Sequence, residues 1–192
     1  MKNKVLIACK IFEEEINKVL GREGGSTQPQ MVWVDAALHS DFDLLEKELL
    51  AAIERGRSDA QNEVKVFFGR GCLPHMDDLL RERGLPICPS GNCLSAFLGE
   101  DKVKELEQGN TMLMTPSWVR VWPDNMRRIS GWDEVDFRTN LGRYDRILVI
   151  DPGINPLTEE EILEFFDLVQ VPIEVTNIDL GHFQATLEQV LA

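Results

Sequence analysis

What this 192-residue chain lacks narrows the field first. No stretch approaches the roughly 18 consecutive apolar residues of a membrane helix. The opening Met1-Lys2-Asn3-Lys4 leads into four apolar residues, Val5 to Ala8, and the acidic Glu13-Glu14-Glu15 follows. That run is too short for the core of a secretory leader, so the chain reads as cytoplasmic. A surplus of positive charge is missing too. The 20 Lys and Arg stand against 33 Asp and Glu, a net charge of −13, whereas a nucleic-acid partner needs a basic surface to displace counterions. The local set Arg120, Arg127, Arg128, Arg138, Arg143 and Arg146 reads as solvated surface balanced by acids elsewhere. There is no internal repeat, low-complexity tract or linker. A hydrophobic fraction of 43% suffices for a core, and the length suits one domain.

Cysteine is scarce as well, with four in the chain. In a reducing compartment they are not structural disulfides. They are buried small hydrophobes or they carry chemistry.

What is present is an alternation of strand and helix. Apolar runs at Val5–Ala8, Met31–Val34, Val64–Phe68, Leu85–Cys88, Arg146–Ile150 and Ile173–Val175 predict strands, and Thr111–Met114 fits one. Helical spacing of Ile11, Phe12, Ile16, Val19 and Leu20 predicts a first helix ending at Gly21, then a loop from Gly24 to Pro29. Leu44, Leu45, Leu49, Leu50 and Ile53 predict a second helix, starting at Ser40 or Asp41. Further helices are expected over Met76–Arg83 and Asn92–Leu98, from Thr158 with a capping box to Glu161, and over His182–Leu191. This order predicts an α/β fold, doubly wound, with a mainly parallel sheet and helices on both faces. Residues 108–142, broken by Pro116, Pro123 and Gly131, are expected to form an irregular middle insertion in a single domain over 1–192.

In an open parallel sheet, ligands bind beyond the carboxyl ends of the strands. Cys9 follows the first strand, Cys72 the third and Cys93 the fourth, so all three are expected at one edge. Cys88 reads as a strand residue in the core. His39, after strand two, opens onto the same edge, and His75 and Trp118 are candidates for a pocket wall. Helix N-termini are expected to lower the thiol pKa of Cys93 and of Cys72. Gly69 and Gly71 would let the backbone approach a bound cofactor, although the third glycine of a phosphate loop is absent. Three thiolates with one open position describe a [4Fe–4S] cluster that binds a small ligand at its unique iron. Zinc is the alternative, since Cys72 and His75 have zinc-ligand spacing. Neither metal has the Cys-x-x-Cys pair that would mark it. A third reading uses Cys72 as nucleophile and His75 as base.

Several segments resemble, in order, those of one known family. They are Val5 to Ile16 around Cys9, Asp35-Ala36-Ala37-Leu38-His39, Gly69-Arg70-Gly71-Cys72, Asn92-Cys93 through Gly99, Thr115-Pro116-Ser117-Trp118, and Tyr144 with Ile150-Asp151-Pro152-Gly153. The family is a domain of unknown function in methanogens and other anaerobes, often encoded near corrinoid-dependent methyltransferases. The resemblance implies that Cys9, Cys72 and Cys93 belong to the family's pattern. It departs at Asn92 and Ser117, where Asp and Gly are expected. It implies a setting in anaerobic one-carbon metabolism, with a methyltransferase-system protein as partner. The Asp-x-His-x-x-Gly segment of a corrinoid carrier is absent. A non-catalytic accessory protein of such a system is the other functional class these features allow.

Overall fold

The structure is a computed structural model, and residues 3–22 and 28–192 are described. In chain order the elements are β1 (Asn3–Cys9), α1 (Glu13–Arg22), β2 (Gln30–Val34), α2 (Phe42–Gly56), β3 (Asn62–Phe67), α3 (Met76–Glu82), α4 (Cys93–Leu98), α5 (Glu100–Leu106), β4 (Thr111–Met114), α6 (Pro116–Ser130), α7 (Glu134–Leu141), β5 (Arg146–Asp151), α8 (Glu159–Val169), β6 (Ile173–Asn177) and α9 (Gly181–Leu191). Short 3-10 turns at Lys10–Phe12, Ala36–Ser40 and Arg70–Cys72 follow β1, β2 and β3. The expected loop over 24–29 lies, in its residues 24–27, outside the described residues. No helix among the described residues is long and apolar enough to cross a membrane.

The α/β class holds, and every strand pair is parallel. Among the described residues the strands form two three-stranded sheets, ordered β2-β1-β3 and β4-β5-β6. The chain divides accordingly into two compact units. The first runs through Glu100 and takes back Leu180–Ala192, and the second is Asp101–Asp179. The expected fourth strand at Leu85–Cys88 joins no ladder among the described residues. Pro86 has no N–H to donate within it, and Pro89 follows at its end.

In the first unit β1 is the middle strand, and Val5, Leu6, Ile7 and Ala8 are all fully buried. Burial of successive residues means both faces are covered, as parallel sheets require. Asp41 caps α2 by accepting a hydrogen bond from the Leu44 amide at 3.0 Å. The helix then buries Leu45, Leu49, Ala52 and Ile53. Four phenylalanines close the core. Phe12 meets Phe67 edge-on at 5.2 Å, and Phe97 of α4 stacks on Phe183 of α9 at 4.8 Å. Phe183 also meets Phe67 at 5.5 Å, which is how the last helix is bound into a unit begun 180 residues earlier. Aromatic pairs of this kind add about 0.5–1.5 kcal/mol beyond burial.

The second unit packs Met114, Val119, Leu141, Ile147, Val149, Phe165, Val169 and Val171 together. Much of it comes from the segment expected to be an irregular insertion, and that expectation is corrected here. Residues 111–141 form a strand and two helices. Thr115 caps α6 by accepting from the Trp118 amide at 3.2 Å, and Pro116 stands in the first turn, where its missing N–H costs nothing. Gly131, at φ 67°, terminates that helix in the left-handed region. Two of the apparent breakers are therefore a helix start and a helix stop. Pro123 lies inside α6 and is buried there. Trp122, Trp132 and Phe137 form a triangle of edge-on rings 5.3–5.6 Å apart. The Thr158 and Glu161 capping box of α8 is formed as expected.

Candidate functional site

In the first unit the strand order turns around at β1, because its two neighbours β2 and β3 lie on opposite sides. Open parallel sheets form a crevice beyond the carboxyl ends at such a reversal. Cys9 is the last residue of β1 and is 2% exposed. The amide of Ile11, in the 3-10 turn that follows, donates to its sulfur. Cys72 ends the 3-10 turn after β3 and is 9% exposed. Cys93 opens α4 and is half-buried. None of the four cysteines forms a disulfide.

Two loops lie against each other to bring these residues together. The Arg70 amide donates to the Ser90 carbonyl at 2.9 Å, and the Gly71 amide to the Gly91 carbonyl at 2.6 Å. A methyl group at Gly69 would stand 2.6 Å from Asn92 Cα and 2.8 Å from the Gly91 oxygen. The glycines expected to cradle a cofactor thus admit the protein's own backbone. The space beside Gly69 and Gly71 belongs to the Gly91–Asn92 chain. Asn92 in turn accepts from the Ser95 amide at 2.8 Å, while Ser95 Oγ accepts from the Asn92 amide at 2.9 Å. Asn and Asp cap helices about equally well, so the departure at Asn92 leaves this local geometry intact. The Glu100 carboxylate holds the same loop by accepting from the Gly91 amide at 2.8 Å.

The thiols interact. Burial, above all, raises the pKa of Cys72, and the neighbouring thiols of Cys93, Cys9 and Cys88 raise it further. Burial likewise pushes Cys9 up to about 12, with Cys93 and then Asp35 adding to the effect. The thiols of Cys9, Cys72 and Cys93 are therefore near enough to affect one another's titration. The expectation of a lowered pKa at Cys72 is overturned. Its sulfur is buried at the end of a 3-10 turn, and loss of water outweighs the Gly69 amide that donates to it.

Cys88 is buried as expected, at 2% exposure, although its segment joins no strand among the described residues. Its own sulfur receives both the amide and the hydroxyl of Ser90. The turn residues Pro89-Ser90-Gly91 directly after it were the available signal.

The donor chemistry at this edge suits a thiophilic metal group, with three coupled thiols and amide donors to two of their sulfurs. Among the described residues, no three His, Cys, Asp or Glu side chains are arranged to hold one metal ion. Zinc would require sulfurs close enough for Zn–S bonds of about 2.3 Å.

The remaining expected residues fall in different places. His39 stands in the 3-10 turn after β2, and burial lowers its pKa. His75 directs Nε2 to Glu46 Oε2 of α2 at 3.0 Å. Trp118 belongs to the second unit, where it packs against that unit's core. One group escaped the sequence reading. Glu15 is 2% exposed, Oε2 has no hydrogen-bond partner among the described residues, and burial raises its pKa to about 7. It lies four residues after Ile11, three after Phe12 and four before Val19, on the apolar stripe that α1 buries.

No curated protein and no solved structure matches the chain. A family model described as "Protein of unknown function (DUF1638)" matches residues 33–187, which include Cys72, Cys88 and Cys93 and leave out Cys9. That match spans most of the chain, which accordingly belongs to the DUF1638 family of proteins of unknown function.

Proposed function

We propose that the first unit is a metal-binding module in which Cys9, Cys72 and Cys93 hold a [4Fe–4S] cluster with one iron accessible to a small ligand or substrate. The observation that carries this reading is the placement of Cys9 at the end of β1, Cys72 after β3 and Cys93 at the start of α4, with the loops that carry Cys72 and Cys93 hydrogen-bonded to each other where the strand order reverses. A cluster bound there would supply electron transfer or Lewis acidity at its open iron. The protein's own contribution is to bury the sulfurs, keep water from them and aim the amides of Ile11 and Gly69 at Cys9 and Cys72. Mononuclear zinc is the alternative, with Cys72 and with His75 through Nδ1, since its Nε2 is engaged with Glu46. The segments quoted above support a cytoplasmic setting in anaerobic one-carbon metabolism, beside corrinoid-dependent methyltransferases. The net charge of −13 suits a basic partner from that system better than nucleic acid.

Anoxic purification and reconstitution test the reading. About four iron and four sulfide per chain are expected, and Cys9→Ser and Cys72→Ser should each reduce both sharply. Wild-type protein that takes up neither iron nor sulfide sinks the proposal. Stoichiometric zinc in their place transfers the argument to the zinc alternative. Recovery of a methyltransferase component by metal-free protein would favour an accessory role.

A further inference from the structure

Among the described residues the two sheets end in strands β2, β3, β4 and β6. β3 and β4 bury most of their residues, and β2 ends on the buried Val34. β6 differs, because none of Ile173–Asn177 is buried. The phase of its ladder follows from the bonds at its two ends. The Ile147 amide donates to the Pro172 carbonyl at 2.8 Å, and the Ile178 amide to the Asp151 carbonyl at 2.9 Å. In a parallel pair, successive residues of a strand alternate between bonding that neighbour and facing away from it. With Ile147 set beside Ile173, the backbone of Glu174 and Thr176 serves β5. The amides and carbonyls of Ile173, Val175 and Asn177 point outward, and no backbone group among the described residues takes them. Such edges are normally blocked by proline, by a bulge or by charge. β6 has no proline inside it, and its one charged side chain, Glu174, is drawn to Arg146 of β5 at 2.6 Å. Val175, in the middle of the strand, is 46% exposed.

We propose that β6 is a docking edge for a second copy of this chain, the two β6 strands pairing antiparallel about a two-fold axis at Val175 and joining two three-stranded sheets into one. The strand is self-complementary in that register. Val175 faces its own counterpart, Ile173 faces Asn177 and Glu174 faces Thr176, so no like charges stand directly opposite. The outward residues are the hydrogen-bonded pairs of this ladder, and each exchanges both its bonds across the axis. An in-register parallel pairing would instead set the two Glu174 carboxylates side by side, which is repulsive. A strand this short buries less than the roughly 1,200 Å² of a standard interface, so the association is weak and reversible. It involves the second unit alone and holds whether or not the first unit binds a cluster.

Sedimentation velocity on the full chain, from about 1 to about 200 µM, tests this. Wild type is expected to pass from monomer to dimer across that range. Val175→Pro removes an amide that β5 does not use, and proline is tolerated at such an edge position. Val175→Lys sets two like charges opposite each other at the axis. Both variants should stay monomeric to the highest concentration, with unchanged circular dichroism. Val175→Glu alone should be monomeric too, while its equimolar mixture with Val175→Lys should dimerise, because opposite charges then meet. That mixture decides the matter if Val175→Pro fails to fold. A wild type that stays monomeric overturns the proposal. So does a dimer that survives both Val175→Pro and Val175→Lys, which would place the contact on another surface. A mixture that fails to dimerise overturns the pairing about Val175.

Discussion

The two units are built from the same parts and differ in one topological respect. Each has three parallel strands with intervening helices. In the first the order is β2-β1-β3, so the chain reverses direction about its middle strand. In the second it is β4-β5-β6, with no reversal. A reversal opens a crevice at the carboxyl edge, and simple succession does not. All four cysteines lie in the first unit, while three of the four tryptophans lie in the second. The second unit spends its polar side chains on itself. Arg120 reaches Glu161 through both Nε and Nη2, and also donates to the carbonyls of Asn155 and Pro156. The groove of about 300 Å³ beside this pair is lined by the two residues of that bridge, among others. The cysteines collect in the unit whose topology leaves an opening.

The largest test of this division removes one aromatic from each core. Phe183 and Phe137 are both fully buried. Phe183→Ala and Phe137→Ala should each cost about 3–5 kcal/mol in their own unit. Urea titration followed by tryptophan fluorescence, weighted toward the second unit, and by circular dichroism, which sees both, measures this. Coincident loss by both probes for each variant would mean that the two units unfold as one.

A smaller effect is confined to the first unit. The folded-state pKa of Glu15 is raised by burial from 4.5 to about 7, so folding favours the protonated acid. Its stabilising contribution is complete below pH 4.5 and is lost as pH rises through 7. Glu15→Gln should match wild type at pH 4 and exceed it at pH 8 by up to about 3 kcal/mol. A difference between the two proteins that does not vary with pH would refute the assignment.

The smallest effect belongs to the second unit and has the opposite sign. Glu161 is held down to about 2, chiefly by the Arg120 guanidinium and then by the Thr158 amide. Its contribution is present above the ordinary value of 4.5 and is lost as pH falls toward 2. The two side chains are 26% and 32% exposed, so water screens the pair. Glu161→Gln should cost no more than about 1 kcal/mol at pH 7 and nothing near pH 2. Chemical denaturation at the two pH values resolves it.

Much of this organisation is legible without coordinates. The apolar run Val5–Ala8, the capping box at Thr158 and the placement of Cys9 and Cys72 after the first and third strands are local signals, because strand propensity, caps and turns depend on near neighbours. Thr115-Pro116 and Gly131 were legible too, as helix boundaries, but the same residues also mark loops, and only the intervening hydrogen bonds decide between the two. Pairing is a different matter. Periodicity reports how often a strand occurs and not which strand lies beside it, so the division into two sheets was decided by the tertiary structure. The same holds for Gly69, whose missing side chain is required by the backbone of Asn92, 23 positions away in sequence. It holds for Glu15, whose carboxyl titrates abnormally because the rest of the unit has excluded water from it. Local chemistry chose the elements of this protein, and long-range exclusion of water decided which of their side chains meet.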